Sequence, residues 1–260
     1  MDSINKQYNT VKCRFEGSIC YLQLYRPEAN NTINDQLIAD CNNVLTICEE
    51  SASVVVLEGL PETFCFGGDF NQIQNEVASG QNHPSINPEP MYDVWKKLAT
   101  GPYVSIANVK GKANAGGIGF VAACDIVLAE ETAEFSLSEL LFGLFPACVL
   151  PFLIRRIGFK NANYLTIMTK PISAQEAKII GLVDAIEPNS EALLRKHLLR
   201  LRCLSKQAIQ QYKNYMNDLS DFLEASKSKA LEANKAIFSD PNNLEKISRY
   251  IQTGQFPWEK

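Results

Sequence analysis

The chain has 260 residues, of which 46% are hydrophobic and 21% charged, and a formal net charge of −4. That length suits one large domain, or a domain with a helical appendage, and provides enough apolar material for a sizeable core. The negative balance argues against nucleic acid as a partner, because such domains carry a basic stripe. No run is long and apolar enough to cross a bilayer, so no membrane role is expected. The polar start MDSINKQYNT has neither the apolar centre of a signal peptide nor an Arg-rich amphipathic pattern, which points to the cytoplasm.

Taken in order, VKCRFEG and ICYLQLYR are β-rich and separated by Gly17-Ser18, the pattern of a hairpin. NDQLIADCNNVLTICEE places Leu37, Ile38, Cys41, Val44, Leu45 and Cys48 at helical spacing, with Asn34 as N-cap. SVVVLEGL reads as a buried strand. FCFGGDF then leads to a short helix and a loop, SGQNHPSINPEP. MYDVWKKLAT is helical, whereas PYVSIANVKG and CDIVLAEE are strands. After FSLSELLFG comes a proline-bounded segment with the apolar run VLPFLIRRIG, and from Lys160 the pattern is mostly helical. SAQEAKIIG starts on a Ser cap and stops at Gly181, LVDAIEP is a short strand, and EALLRKHLLRLRCL and two further amphipathic stretches follow.

The chemistry-bearing residues are few. The eight cysteines form no CxxC pair and most sit in apolar surroundings, so they read as free thiols acting as small buried hydrophobes in a reducing compartment. The only histidines are His83 and His197, which leaves little for a His-dependent triad or a His-ligated metal. Two glycine-bearing turns follow β-rich runs: Phe66-Gly67-Gly68-Asp69, and KANAGGIGF with glycines at 116, 117 and 119. Neither fits a dinucleotide or P-loop fingerprint, so a phosphate cradle is not expected. Tight turning explains each glycine alone, but two such turns could aim their N–H groups at one oxygen.

The ordered set FCFGGDF, KGKANAGGIGF, CDIVLAEETAEFSLSELLFGLFP and TKPISAQEAKIIGLVDAIEP resembles the crotonase (enoyl-CoA hydratase/isomerase) superfamily along essentially the whole chain. RPEANNTIND, FSLSELLFGLFPACVLPFLIRRIG and TGQFPWE resemble a narrower group, the dehydratases of polyketide β-branching cassettes, which act on carrier-tethered acyl groups. The resemblance implies an α/β crotonase fold: a stacked β-β-α spiral core over residues 1–200, and a C-terminal helical region over 201–260 that builds trimers or hexamers. It also implies two oxyanion donors, the amides of Gly68 and Gly116, with Phe66, Gly67, Gly117 and Cys148 at the substrate. No metal or cofactor is expected beyond the phosphopantetheine of an acyl carrier protein, or coenzyme A, that bears the acyl group.

Where hydratases place two glutamates, this chain has Gly119 at the first position and Glu139 at the second. Glu139 has the apolar neighbours Leu137, Leu140, Leu141 and Phe142, which favour a raised pKa and a proton-transfer role. Its residue-level alternative is an N-terminal helix carboxylate after Ser138, and Asp69 reads as a helix cap. Cys65 and Cys148 are expected to line the pocket as apolar groups. Lys96 and Lys97 read as a solvated helix face. The clusters Arg155, Arg156, Lys160 and Arg195, Lys196, Arg200, Arg202 are candidate docking surfaces for an acidic carrier. The implied reaction is dehydration of 3-hydroxy-3-methylglutaryl carrier protein to the 3-methylglutaconyl form. The competing readings are a decarboxylase or isomerase of the same cassette, and a non-catalytic acyl-thioester-binding protein.

Overall fold

The computed structural model describes residues 7–72 and 87–259. His83 and most of the SGQNHPSINPEP loop lie outside them, as does all but the first turn of the helix expected after FCFGGDF. The chain starts with strands β1 (Val11–Glu16) and β2 (Ile19–Leu24), followed by helix α1 (Asp35–Ser51). Next come β3 (Val54–Glu58), β4 (Thr63–Cys65), α2 (Glu89–Thr100), β5 (Val104–Val109), β6 (Lys112–Asn114) and α3 (Gly116–Ala123). Strands β7 (Ile126–Glu130) and β8 (Glu134–Ser136) precede a 3-10 turn at Glu139–Phe142 and α4 (Leu150–Met168). The remainder is β9 (Ile172–Ser173), α5 (Ala174–Ile179), β10 (Ala185–Glu187), α6 (Ser190–Leu201), α7 (Lys206–Asp218), α8 (Phe222–Phe238) and α9 (Pro241–Thr253).

The hairpin forms where Gly17 takes φ +61°, a conformation that costs glycine nothing. It edges a six-stranded sheet ordered β1-β2-β3-β5-β7-β10, parallel from β2 onward. Its central strands are buried on both faces, which is why β3 reads VVVLE without alternation. Cys20, Leu22, Val55, Leu57, Ala107 and Val127 join the main core, which includes the buried stripe of α1. Ile19, Tyr21, Val54, Val56, Ile106 and Leu128 face the other way, onto Leu193, Leu194 and Leu198 of α6. The Asn34 side chain caps α1 by accepting from the Leu37 amide at 2.9 Å.

A second sheet, β4-β6-β8-β9, has strands of only two or three residues and was not legible as such. The segments VLPFLIRRIG and KNANYLTIMT, read separately, are two helical stretches within α4 that meet at a kink at Gly158, whose φ of +74° is non-helical. Three helices follow α6, not two. They pack on their own chain: buried Lys213 of α7 donates to the Ala99 carbonyl and to Asp125, and Tyr92 donates to the Leu223 carbonyl of α8 at 2.6 Å. Ser173 and Glu176 form a reciprocal capping box at α5.

Candidate active site

Strands β4, β6 and β8 are parallel neighbours, so their carboxyl ends emerge side by side. Phe66–Asp69 follows β4, Ala115 and Gly116 follow β6, and Glu139 lies three residues after β8. Strand order thus brings together three sequence motifs whose outer members, Gly68 and Glu139, are 71 positions apart. All three border one cavity of about 930 Å³.

The first turn is held by Ile33, whose N–H donates to the Gly67 carbonyl at 2.7 Å and whose carbonyl accepts from the Asp69 N–H at 3.0 Å. The intervening Gly68 N–H takes no part in this bridge. In the second turn Gly116 is the first residue of α3, where amides lack intrahelical acceptors and the helix dipole is positive. Neither amide donates to any acceptor among the described residues. The two turns touch: a Cβ on Gly67 would lie 2.6 Å from Ala115 Cβ and 3.3 Å from the Gly116 nitrogen. Ala115, between them, sits at φ +50°, ψ −121°, a strained conformation for a residue with a side chain.

Glu139 heads its 3-10 turn, so the helix-terminus reading of the sequence also describes its place. Its stem is half-buried, but Oε2 is closed off from solvent and has no hydrogen-bond partner among the described residues. Burial pushes the carboxyl from 4.5 up to about 7, while the backbone amides of Glu139 and Ser138 pull it down. The approach to Glu139 is pinned by side chains that the sequence did not flag. Ser136 donates to Asn114 Oδ1 at 2.8 Å, and Asn114 Nδ2 donates to Ser138 Oγ at 3.0 Å.

The expected contacts divide. Phe66, Gly68, Gly116, Glu139 and Cys148 line the cavity. Gly67 and Gly117, expected at the substrate, do not; they pack the turns. Gly67 takes φ +92°, and a Cβ on Gly117 would meet the Cys65 carbonyl oxygen at 2.3 Å. Cys65 is fully buried behind the wall and does not line the cavity as expected. Burial pushes both Cys65 and Cys148 thiols up to about 12, far from a reactive thiolate. At Gly119 the space for a side chain is taken by Trp95, whose Cζ2 lies 2.5 Å from an added Cβ.

Asp69 caps as expected, its Oδ1 accepting from Asn71 at 3.2 Å and Gln72 at 3.4 Å. Its other oxygen pairs with Arg26 at 3.0 Å, both side chains 11% exposed, and Arg26 also holds the Thr32 carbonyl. The cavity roof comes from the far end of the chain. Phe142 makes edge or tilted contacts with Phe70, Tyr250 and Phe256 at 5.1–5.9 Å. Lys96 and Lys97 are occupied elsewhere, on Glu224 and on Glu49 with Thr46. Arg156 is spent on Asp184 and the carbonyls of Leu182 and Cys124, which removes it from its basic cluster.

Residues 14–260 match the enoyl-CoA hydratase/isomerase family model. The chain is 60% identical over 253 residues to the bacillaene synthase dehydratase PksH of Bacillus subtilis (strain 168), covering 97% of each. It superposes on the crystal structure of a polyketide biosynthesis enoyl-CoA hydratase from Bacillus subtilis with TM-score 0.94 and 59% identity, over 96% of this chain and 100% of that one. An enoyl-CoA hydratase from Bacillus halodurans, 19% identical, shares the fold at TM-score 0.83 over 92% of this chain and 99% of that one. The chain belongs to the enoyl-CoA hydratase/isomerase (crotonase) family and is an enzyme of its hydratase and dehydratase kind.

Proposed function

We propose that the enzyme removes water from 3-hydroxy-3-methylglutaryl carrier protein, giving the 3-methylglutaconyl form during polyketide β-branching. One observation carries this: the carboxyl of Glu139, whose Oε2 is buried without a partner among the described residues, shares a cavity with Gly68 and Gly116, whose amides have no acceptor among those residues. The α-proton of a thioester is too weakly acidic for a carboxylate unless the enolate oxygen is stabilised. Two preorganised amides act where that charge develops, each worth about 3 kcal/mol. Ionised Glu139 takes the α-proton, the enolate forms against the Gly68 and Gly116 N–H groups, and the resulting glutamic acid protonates the departing 3-hydroxyl. A carboxyl near 7 suits both transfers, since it is neither locked as anion nor as acid at neutral pH. The relative of known dehydratase name supports the direction.

The scheme needs no redox group or metal, because thioester and oxyanion donors supply the acidity; the acyl group rides on phosphopantetheine. Exposed Arg155 and Lys160, or Arg195 and Arg200, would meet an acidic carrier. Exposed apolar side chains on α4 (Phe159, Tyr164, Ile167) and on α7 with its C-cap (Tyr212, Tyr215, Leu219) support assembly with further copies of the chain, as trimer or hexamer. Mass measurement after incubation with the hydroxymethylglutaryl carrier protein tests the reading. Loss of water is expected; an unchanged carrier, or loss of carbon dioxide from added glutaconyl carrier, would overturn it.

A further inference from the structure

Helix α8 buries Leu223, Ala230, Asn234 and Ile237, and one of these is polar. Asparagine is a weak helix former, and burying an amide without a partner costs free energy that an apolar side chain would not. Asn234 is 7% exposed, yet its carboxamide makes no hydrogen bond with any described residue. It is also not among the partnerless atoms that are closed off from solvent. The surface it keeps opens onto the cavity that it lines together with Glu139, Gly68 and Gly116. Buried polar groups are nearly always satisfied, so an amide left free on a cavity wall calls for a ligand.

The place of Asn234 on the wall follows from its helical neighbours. One turn before it, the Ala230 carbonyl accepts from Cys148 Sγ at 3.7 Å. One turn after it, Ile237 packs with Phe142 and Leu144, and the Leu144 N–H donates to the Glu139 carbonyl at 3.1 Å. Asn234 therefore sits between Cys148 and the turn that Glu139 heads, on a different element from the glycine turns. Cations are scarce around the cavity. The only lysine or arginine among its described lining residues is Lys112, which pairs with Glu134 at 3.4 Å, both side chains exposed.

A 3-hydroxy-3-methylglutaryl thioester carries three oxygen-bearing groups. The thioester oxygen goes to the Gly68 and Gly116 amides, and the 3-hydroxyl takes its proton from Glu139. The terminal carboxylate, four carbon–carbon bonds beyond the thioester carbon, is left without a donor. We infer that the Asn234 Nδ2–H donates a hydrogen bond to that carboxylate, making Asn234 a substrate-binding residue that selects 3-hydroxyacyl groups ending in a carboxylate. The inference rests on the dehydratase reading above. A carboxamide suits the task better than a lysine or arginine. It gives the anion a charge-assisted hydrogen bond while carrying no charge of its own. A cation in its place would favour the ionised form of nearby Glu139, which would then return the proton less readily to the departing hydroxyl. With no charged side chain opposing burial, the Glu139 carboxyl stays near 7.

Kinetics on two carrier-bound substrates provide the test: the 3-hydroxy-3-methylglutaryl group, and the 3-hydroxy-3-methylbutyryl group, which is the same group without its terminal carboxylate. The wild type is expected to favour the first by at least about 10-fold in kcat/KM. Asn234→Leu, similar in volume but apolar, is expected to lower kcat/KM for the first about 10- to 100-fold, the worth of one hydrogen bond to a charged group. For the second substrate the change is expected to stay under about threefold, a split that loss of packing alone would not produce. Should the leucine variant not fold, Asn234→Ala, which removes the amide without adding bulk and favours the helix, is read in the same way. Equal losses on both substrates, or a wild type that takes both equally well, would refute the inference and leave Asn234 a wall residue. A wild-type enzyme that dehydrates no 3-hydroxyacyl thioester removes the dehydratase reading, and this inference with it. A dehydrating enzyme whose preference ignores the change at Asn234 removes only the inference.

Discussion

Replacing Glu139 by glutamine removes a titrating group and keeps its shape, so the change separates what the carboxylate does for the reaction from what it costs the fold. In the folded chain burial raises this carboxyl from 4.5 to about 7. The folded state therefore holds the proton more tightly than the unfolded state. The favourable contribution is complete below pH 4.5 and is lost as pH rises to about 7, beyond which stability no longer changes on this account. At about 1.4 kcal/mol per pH unit, the full loss is about 3 kcal/mol. Glu139→Gln should therefore match the wild type near pH 4.5 and exceed it by about 3 kcal/mol at pH 8, while losing a factor of about 10²–10⁴ in dehydration rate. Urea unfolding at fixed protein concentration across that pH range, beside single-turnover dehydration, gives both quantities. Stability curves that run parallel for the two proteins would refute the burial argument. Near-wild-type rates in a folded variant would refute the catalytic one.

The pH dependence of kcat/KM should show one limb rising through about pH 7 to a plateau, because the free enzyme must carry Glu139 ionised to take the α-proton; a flat profile from pH 5 to 9 would contradict this. Gly68→Ala and Gly117→Ala should behave differently. An added Cβ at Gly68 meets nothing within 4 Å and should leave unfolding unchanged while impairing turnover; at Gly117 it meets the Cys65 carbonyl oxygen at 2.3 Å and should cost about 1–3 kcal/mol. Asp69→Ala leaves Arg26, 11% exposed, with the exposed Glu28 carboxylate at 3.6 Å and the Thr32 oxygens as its remaining partners, with an expected loss of about 1–3 kcal/mol in urea unfolding and a lower kcat from loosening of the Gly68 turn.

The large sheet was legible because its strands announce themselves: VVVLE is a continuous apolar run, Gly17-Ser18 marks the hairpin, and Asn34 caps α1 where the periodicity begins. The small sheet was not, since β4, β6 and β8 have three residues each, too few for alternation to register. That sheet orders the site. The glycine turns and Glu139 were visible as motifs, but their convergence depends on three strands that local pattern could not reveal; the family resemblance supplied it instead. Gly67 and Gly117 looked like substrate contacts because glycine permits close approach to anything, and here the approach is to Ala115 and the Cys65 carbonyl. Trp95 gave no signal, and Arg26 was visible only as the first residue of RPEANNTIND, with no hint of its pairing with Asp69. A tryptophan on an amphipathic helix reads as core, and an arginine at a strand end reads as surface, until their partners are known.

What sets the carboxyl of Glu139 is the absence of a compensating charge. Desolvation raises it, two backbone amides lower it, and no charged side chain contributes. Arg26, the buried cation at the neighbouring turn, is already matched by Asp69. Surface charge changes should therefore leave the acid limb in place, whereas admitting water should move it. The roof offers that perturbation: Phe256 packs 5.9 Å from Phe142, the last residue of the turn that Glu139 begins, and 5.1 Å from Tyr250. Phe256→Ala removes a cavity-lining ring that belongs to the C-terminal segment, beyond the last helix. The apparent pKa of the kcat/KM profile should drop from about 7 toward 4.5, with the rate at its plateau also reduced, because a wetter site weakens the oxyanion donors as it solvates the carboxylate. Paired profiles of wild type and Phe256→Ala over pH 4 to 9 measure this. An unmoved limb in a variant that unfolds normally would mean that something other than exclusion of water holds the carboxyl near neutrality.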